Sequence, residues 1–271
     1  MYRKNILITG GTDGIGKETA KQLAAEGHNL WIHGRNQAKV EQCICEIFNI
    51  TGNNHLEPLV ADFASLKDVK RMSIDLAKQT EYIDVLINNA GIMTDFKEYS
   101  LDGYEKTFQI NYLSPFLLTN LLLPFLKESS QGRIIHVSSM MHASSFDADN
   151  IALSDSVQGT AAYAVTKLYN ILFSNKLARM LQGSHTISNS LHPGVINTKL
   201  LRQNFGNIGE DVKQGAETPV YLATDEAVAA YSGKYFVNKH LANPAKIAND
   251  KKTQDILWNK TLSMVSNYLN Q

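Results

Sequence analysis

The sequence predicts an α/β fold: one domain built on a doubly wound parallel sheet of about seven strands, with helices on both faces. Three observations carry this expectation. Short apolar runs of β-forming residues alternate with amphipathic stretches along the chain. The first such run leads directly into a glycine-rich turn and a helical pattern. No Pro- or Ser-rich linker, internal repeat or low-complexity tract divides the 271 residues, so 1–271 reads as a single domain.

In chain order, strands are expected over 5–9 (NILIT), 29–33 (NLWIH), 56–61 (LEPLVA), 84–89 (DVLINN), 133–138 (RIIHVS) and 186–193 (TISNSLHP). These are short, mostly apolar runs, as strands covered on both faces require. Amphipathic segments lie between them near 14–26, 36–50, 65–80, 102–127 and 160–182. Each strand–helix–strand unit closes as a right-handed crossover, so the alternation stacks parallel strands between helical layers. Two stretches lack regular pattern, 140–160 and 198–214, and both follow strands. Open α/β sheets bind ligands at the carboxyl ends of strands, so these stretches are candidate functional loops. A terminal helix over about 251–270 has apolar residues at 256, 257, 262, 264, 265, 268 and 269. It can cover the site, dock on the same domain or join subunits.

Composition removes several function classes. Lys plus Arg and Asp plus Glu are both 26, so no net field favours nucleic acid or an anionic membrane. The most apolar run, 115–126, is shorter than a bilayer span and is broken by Thr119, Asn120 and Pro124. MYRKNILITGG enters a strand without an apolar leader, so no secretory signal and no membrane anchor are expected, and the chain reads as cytoplasmic. Cys43 and Cys45 diverge on a helix and have no neighbouring His or Cys cluster, so no metal site is expected.

The run ILITGGTDGIGKETAKQLAAEG is strand, glycine turn, helix. Gly10, Gly14 and Gly16 let the backbone approach a pyrophosphate, whose charge is met by amides at the helix N-terminus. The bare alternative is an ordinary strand-to-helix turn; its place as the first unit of the array favours dinucleotide binding. After the second strand, 29–40 holds no Asp or Glu, and Arg35 occupies the turn beside Asn36. A ribose hydroxyl would be met by a carboxylate there and a 2′-phosphate by a cation, so NADPH is preferred over NADH. The alternative is a solvated surface arginine.

In AAYAVTK (161–167), Tyr163 and Lys167 lie one helical turn apart on one face. Beside a cationic nicotinamide, Lys167 is expected to stabilise the phenolate and draw the tyrosine below its usual pKa of ~10, giving a proton donor for carbonyl reduction. Alone, such a pair is usually a core tyrosine with a solvated lysine.

TGGTDGIG, NNAG (88–91), VSS (137–139), YAVTK and HPG (192–194) occur in the order and approximate spacing of the short-chain dehydrogenases/reductases. From residue 4 to about 240 the chain resembles that family, most closely its retinol dehydrogenase and NADP-dependent carbonyl reductase branch. The resemblance implies a Rossmann fold with a dinucleotide-binding part over about 4–140 and catalytic and substrate elements over about 139–215. It also implies roles. Tyr163 is the general acid/base, and Lys167 holds the nicotinamide ribose and tunes the tyrosine. Ser139 hydrogen-bonds the substrate oxygen, and Asn111 supports a water linking Lys167 to solvent. The cofactor set is Gly10, Thr12, Asp13, Gly14, Ile15, Gly16, Arg35, Asn36, Asp62, Phe63, Asn89, Ala90, Gly91, Tyr163, Lys167, Pro193, Gly194, Val195 and Thr198. Asp62 meets the adenine amino group in this reading, and could instead cap the helix near Ser65. Ser138 competes with Ser139, because adjacent strand residues face opposite sides. His136 and His142 read as pocket lining or packing. The basic residue that many NADP-dependent relatives carry before the second glycine is Asp13 here, which leaves the 2′-phosphate mainly to Arg35.

The expected activity is hydride transfer between NADP(H) and a small apolar carbonyl or alcohol such as a retinal-like compound, steroid, lipid aldehyde or quinone. The substrate mouth is assigned to 92–100, 140–160 and 198–214, with Met93, Phe96, Met140, Met141, Phe146, Leu200, Leu201 and Phe205. A homodimer or homotetramer through the two long helices is the family's usual arrangement. The alternative from another class is an NADP(H)-binding sensor or scaffold without turnover; such a protein is expected to lose Tyr163, Lys167 or Ser139, and all three are present. Reduction of a carbon–carbon double bond stays open.

Overall fold

The computed structural model describes residues 3–153 and 157–269. Part of the expected 140–160 loop, residues 154–156, lies outside them. The elements run β1 (Asn5–Ile8), α1 (Gly14–Ala25), β2 (Asn29–Gly34), α2 (Gln37–Thr51), β3 (Leu56–Val60), α3 (Leu66–Ala77) and β4 (Val85–Asn88). Next come α4 (Lys106–Phe108), a π turn (Gln109–Leu113), α5 (Ser114–Glu128), β5 (Arg133–Val137), α6 (Gly159–Met180) and β6 (Ile187–His192). The chain ends with α7 (Lys199–Phe205), α8 (Val212–Thr224), β7 (Tyr235–Val237), β8 (His240–Ala242) and α9 (Lys251–Leu269).

The sheet order is β3-β2-β1-β4-β5-β6-β7-β8. All neighbours pair in parallel except β7 with β8. The eighth, antiparallel strand departs from the expected all-parallel sheet. It is three residues long and returns through Asn238 and Lys239, whose φ values of 49° and 66° make the tight turn a two-residue hairpin needs. Elements that short carry no readable period.

Strand alternation supplies two cores. Ile6, Ile8, Val85, Ile87, Ile135 and Val137 face the layer containing α1, α2 and α8. Leu7, Leu86 and Ile134 face α3, α5, α6 and α9. Of the three expectations for the terminal helix, docking on the same domain is what forms. Trp258 of α9 packs its ring 5.0 Å from Phe116 and 5.9 Å from Phe173, and Asp255 pairs with Lys176 and Arg179 of α6. α9 therefore covers part of the surface of α5 and α6. Trp258→Ala is expected to cost roughly 3–5 kcal/mol, lowering the melting temperature by about 6–20 °C in a calorimetric scan.

The expected helix over 102–127 starts later and contains the π turn, followed by Pro115 at the start of α5. Within 198–214, α7 and the start of α8 replace the expected loop. Cys43 is buried and Cys45 exposed, so the two thiols diverge. Among the described residues no group of His, Cys, Asp and Glu could hold a metal, and no helix is long and apolar enough to cross a membrane.

Candidate active site

The strand order reverses between β1 and β4, which opens a cleft at their carboxyl ends. The two strand ends nearly touch there. Gly10 has φ 64°, and a Cβ on it would lie 2.9 Å from the Ala90 Cα. The Asn89 side chain braces this contact, donating to the carbonyls of Thr9 (2.9 Å) and Gly10 (3.1 Å). A Cβ on Gly16 would overlap the Gly10 carbonyl oxygen and the Asn89 amide nitrogen.

Asp13 caps α1 by accepting the Gly14 N–H at 2.7 Å. The amides of Ile15 and Gly16 follow in the first turn, where a helix has no acceptor of its own to offer. On the far side of the cleft, Thr198 caps α7, and its methyl would lie 3.3 Å from a Cβ on Gly14. Ile15 and Ile196 both pack on Gly215 of α8. Pro193 is buried, Gly194 turns the chain with φ 104°, and the exposed Val195 accepts the Glu210 N–H at 2.8 Å. The turn after β1 and the turn after β6 thus form two walls of one cleft. These walls fit a dinucleotide: a glycine-only approach, free first-turn amides and a close opposite rim.

Toward the sheet edge, Gly34 leaves room for Thr12, whose methyl would otherwise be 2.7 Å from its Cβ. Arg35 is exposed just beyond β2, and Asn36 caps α2 by accepting the Lys39 N–H at 3.0 Å. Lys39 is exposed on the same first turn; it lies outside the recognisable motifs, and the sequence reading missed it. Asp62 accepts the Ala64 N–H at 2.9 Å, while Ser65, not Asp62, caps α3. Phe63 is buried and stacks on His33 at 4.4 Å, so its ring belongs to the core.

At the centre, β5 delivers Ser138 and Ser139 to opposite sides, as the pleat dictates. Ser138 donates to the Lys167 carbonyl at 2.6 Å, a structural bond within the core. Ser139 hydrogen-bonds the hydroxyl of Tyr163 on α6. Lys167, one turn on, is buried; its ammonium donates to the Val137 carbonyl at 2.9 Å and lies 5.3 Å from the centre of the Tyr163 ring. A Cβ on Gly91 would be 3.4 Å from both the Lys167 Nζ and the Asn111 Oδ1. Asn111 sits in the π turn, a geometry that recurs at functional sites because the extra residue re-aims a side chain. It clamps Ile92, accepting its N–H at 2.7 Å and donating to its carbonyl at 2.9 Å. Thr166 shares the Asn111 amide at 3.2 Å; although inside YAVTK, it carried no separate signal in the sequence.

The electrostatics are those of the chain without its cofactor. Burial pushes the Tyr163 phenol up to about 12, with the Ser139 hydrogen bond pulling the other way; the lowering expected from the sequence belongs to the phenol beside a bound cationic nicotinamide. Lys167 lies over the ring rather than at the hydroxyl, and burial lowers its own pKa to about 8. In the chain alone the phenol stays protonated through the neutral range, and Lys167 is the group that titrates first. As pH rises through about 8, Lys167 loses its charge, so kcat/KM for carbonyl reduction is expected to fall there and Lys167→Arg to remove that limb. A pH-rate profile checks this. Between about 8 and 10.5 the folded lysine has shed a proton that the unfolded chain keeps, so this group raises stability with pH across that window.

Two further placements differ from or sharpen the expectations. His136 is fully buried against Phe173 at 4.9 Å, with the Asn88 side-chain amide 3.4 Å from its Nδ1, so it belongs to the core and not to the pocket lining; burial holds its pKa down to about 3. Phe146 turns inward onto Tyr169 at 5.9 Å instead of lining the mouth. Phe96, Met140 and Met141 are exposed on loops after β4 and β5, and Phe205 is exposed at the end of α7.

The profile of the short chain dehydrogenase family matches residues 4–208. Human retinol dehydrogenase 13 is 37% identical over 279 residues, covering 97% of this chain and 84% of that protein. Human polyprenol dehydrogenase is 35% identical over 276 residues, covering 95% and 84%. Among solved structures, an uncharacterized protein from Mycobacterium paratuberculosis superposes with a TM-score of 0.82 at 27% identity, covering 97% of this chain and 93% of that one. A short chain dehydrogenase of Escherichia coli CFT073 complexed with NADPH gives 0.71 at 25% identity, covering 88% and 97%. Members of this family are oxidoreductases that use nicotinamide cofactors. The chain belongs to the short chain dehydrogenase family, in its retinol dehydrogenase branch.

Proposed function

We propose that the protein is an NADP(H)-dependent oxidoreductase that moves a hydride between the nicotinamide and the carbonyl or alcohol carbon of an apolar small molecule. One observation carries the reading: Ser139, Tyr163 and Lys167 meet at the carboxyl end of β5, with Gly91 joining Lys167 to the glycine-lined cleft. Bound NADP(H) supplies the hydride. As negative charge develops on the carbonyl oxygen, Tyr163 hands it the phenolic proton and Ser139 donates a second hydrogen bond to the same atom. Lys167 holds the nicotinamide ribose and offsets the charge left on the phenolic oxygen. Gly10, Thr12, Gly14, Ile15 and Gly16 present backbone to the pyrophosphate, and Asp13 fixes the first turn. Asp62 borders the adenine, while Asn89, Ala90, Gly91, Pro193, Gly194, Val195 and Thr198 line the remainder. Asn111 holds the strand end after β4 in register with Lys167.

The 2′-phosphate is assigned to Arg35, with Lys39 and Asn36 beside it; the NADPH complex of the Escherichia coli relative supports the same choice. Arg35→Leu is expected to raise the Kd for NADPH roughly 10- to 100-fold while leaving NADH nearly unchanged, because it removes charge-assisted hydrogen bonds. Equal losses for both cofactors, measured by fluorescence titration, would contradict the assignment.

An apolar substrate is supported by the exposed Phe96, Met140, Met141, Val195, Phe205 and Ile208, all on segments that leave β4, β5 and β6 at the cleft. Two relatives are named for retinol and polyprenol, both apolar alcohols. The test is NADPH consumption by purified protein against apolar aldehydes, ketones and quinones, with α,β-unsaturated analogues alongside. Turnover of the saturated carbonyls is the expected result. Tight NADPH binding without consumption of any of them would favour a sensor.

A further inference from the structure

The loop that leaves β5 contains a histidine whose two ring nitrogens are both engaged. His142 Nε2 accepts the backbone N–H of Ala245 at 2.9 Å. An amide N–H can only donate, so Nε2 carries no proton and the neutral ring is protonated on Nδ1. That proton points to the carbonyl oxygen of Ser139, 2.6 Å away, and the His142 backbone N–H donates to the same oxygen at 3.2 Å. The Ser139 hydroxyl meanwhile accepts the Met141 N–H at 3.1 Å. Residues 141 and 142 therefore grip both the main chain and the side chain of the serine that touches Tyr163.

The other end of this linkage is anchored. Ala245 leads into a short helical turn whose Ala248 carbonyl accepts Asn175 of α6 and Gln254 of α9, each at 2.9 Å. The His142 ring sits 5.5 Å from the ring of Tyr235 on β7, and the next residue, Ala143, donates its N–H to Ala164 of α6 at 2.9 Å. We propose that His142 is a positioning residue for catalysis: a neutral imidazole that latches the Ser139 peptide to the segment after β8, so that the serine hydroxyl stays aimed at the oxygen shared with Tyr163. Without the latch, the Ser139 carbonyl keeps the His142 backbone N–H but loses the side-chain restraint. A displacement near 1 Å at such a group costs about 10²-fold in rate.

The latch rests on the proposed role of Ser139, and the experiment separates the two. His142→Ala and His142→Gln are compared alone and on a Ser139→Ala background, with decanal and NADPH as the reactants. His142→Ala is expected to lower kcat roughly 10- to 100-fold with the NADPH Kd within about twofold of wild type. His142→Gln, whose side-chain oxygen reaches toward the Ala245 amide, is expected to recover part of the loss and to report on the latch even if the alanine variant folds poorly. On the Ser139→Ala background the His142 substitutions are expected to have no further effect on kcat, because a residue that acts through another has nothing left to position. An undiminished, additive effect there would overturn the latch while leaving the role of Ser139 standing. Near wild-type turnover by Ser139→Ala itself would overturn both.

Discussion

Tyr163→Phe is expected to keep NADPH binding within about twofold and to lower turnover ~10³-fold, the upper part of the range for losing a positioned general acid. The substitution removes one oxygen and leaves the ring that Lys167 lies over. The partner hydroxyl of Ser139 remains, now without its phenol. Because the phenol stays protonated to about pH 12 in the chain, the wild-type donor is available throughout the neutral range, and the loss should be the same at every neutral pH. Turnover within an order of magnitude of wild type would show that the proton reaches the substrate by another route.

Gly16→Ala is expected to abolish measurable NADPH affinity and to destabilise the fold by about 1–3 kcal/mol, the usual cost of overpacking. The added methyl would meet the Gly10 carbonyl and the Asn89 amide, which are backbone and a braced side chain, not flexible ends. Relief requires the glycine turn to lift away from α1, which withdraws the first-turn amides from the pyrophosphate. Gly27→Ala serves as a control. Gly27 has φ 83° and nothing within 4 Å of its Cβ position, so the backbone strain of an alanine there should lower stability and leave the cofactor Kd unchanged. Equal effects of both substitutions on Kd would mean that the Gly16 contact is not what shapes the cradle.

Much of the fold is legible because β1 to β6 are runs whose composition and spacing admit few alternatives, and because parallel strands force crossover helices. The edge is not legible: β7 and β8 are three residues each, too short for a period, and their pairing follows from Asn238 and Lys239 adopting positive φ. The same holds within 102–127, where one extra residue per turn makes a π segment of QINYL without changing its apolar pattern.

At the site, the grouping of Tyr163, Lys167 and Ser139 follows from local geometry, and the electrostatics do not. The one-turn spacing of Tyr163 and Lys167 follows from helix geometry, and the opposite facing of Ser138 and Ser139 follows from the pleat. The direction of the tyrosine shift depends on how completely α6 desolvates the phenol and where the ammonium ends up. That ammonium is spent on the Val137 carbonyl, a contact between residues 30 apart in sequence. His142 looked like packing for the same reason: the amide that fixes its tautomer is 103 residues away, on a segment with no motif.

The central claim is hydride transfer assisted by Tyr163, and the most direct measurement follows the hydride itself. NADPH deuterated at the transferable position of the nicotinamide is mixed with the wild-type protein and with Tyr163→Phe in the presence of decanal, and the products are read by mass spectrometry. We expect decanol carrying one deuterium on the alcohol carbon from the wild type, and essentially none from the variant despite full NADPH occupancy. NADPH bound by the wild type with decanal, ketones and quinones all returned unlabelled and unreduced would contradict the account.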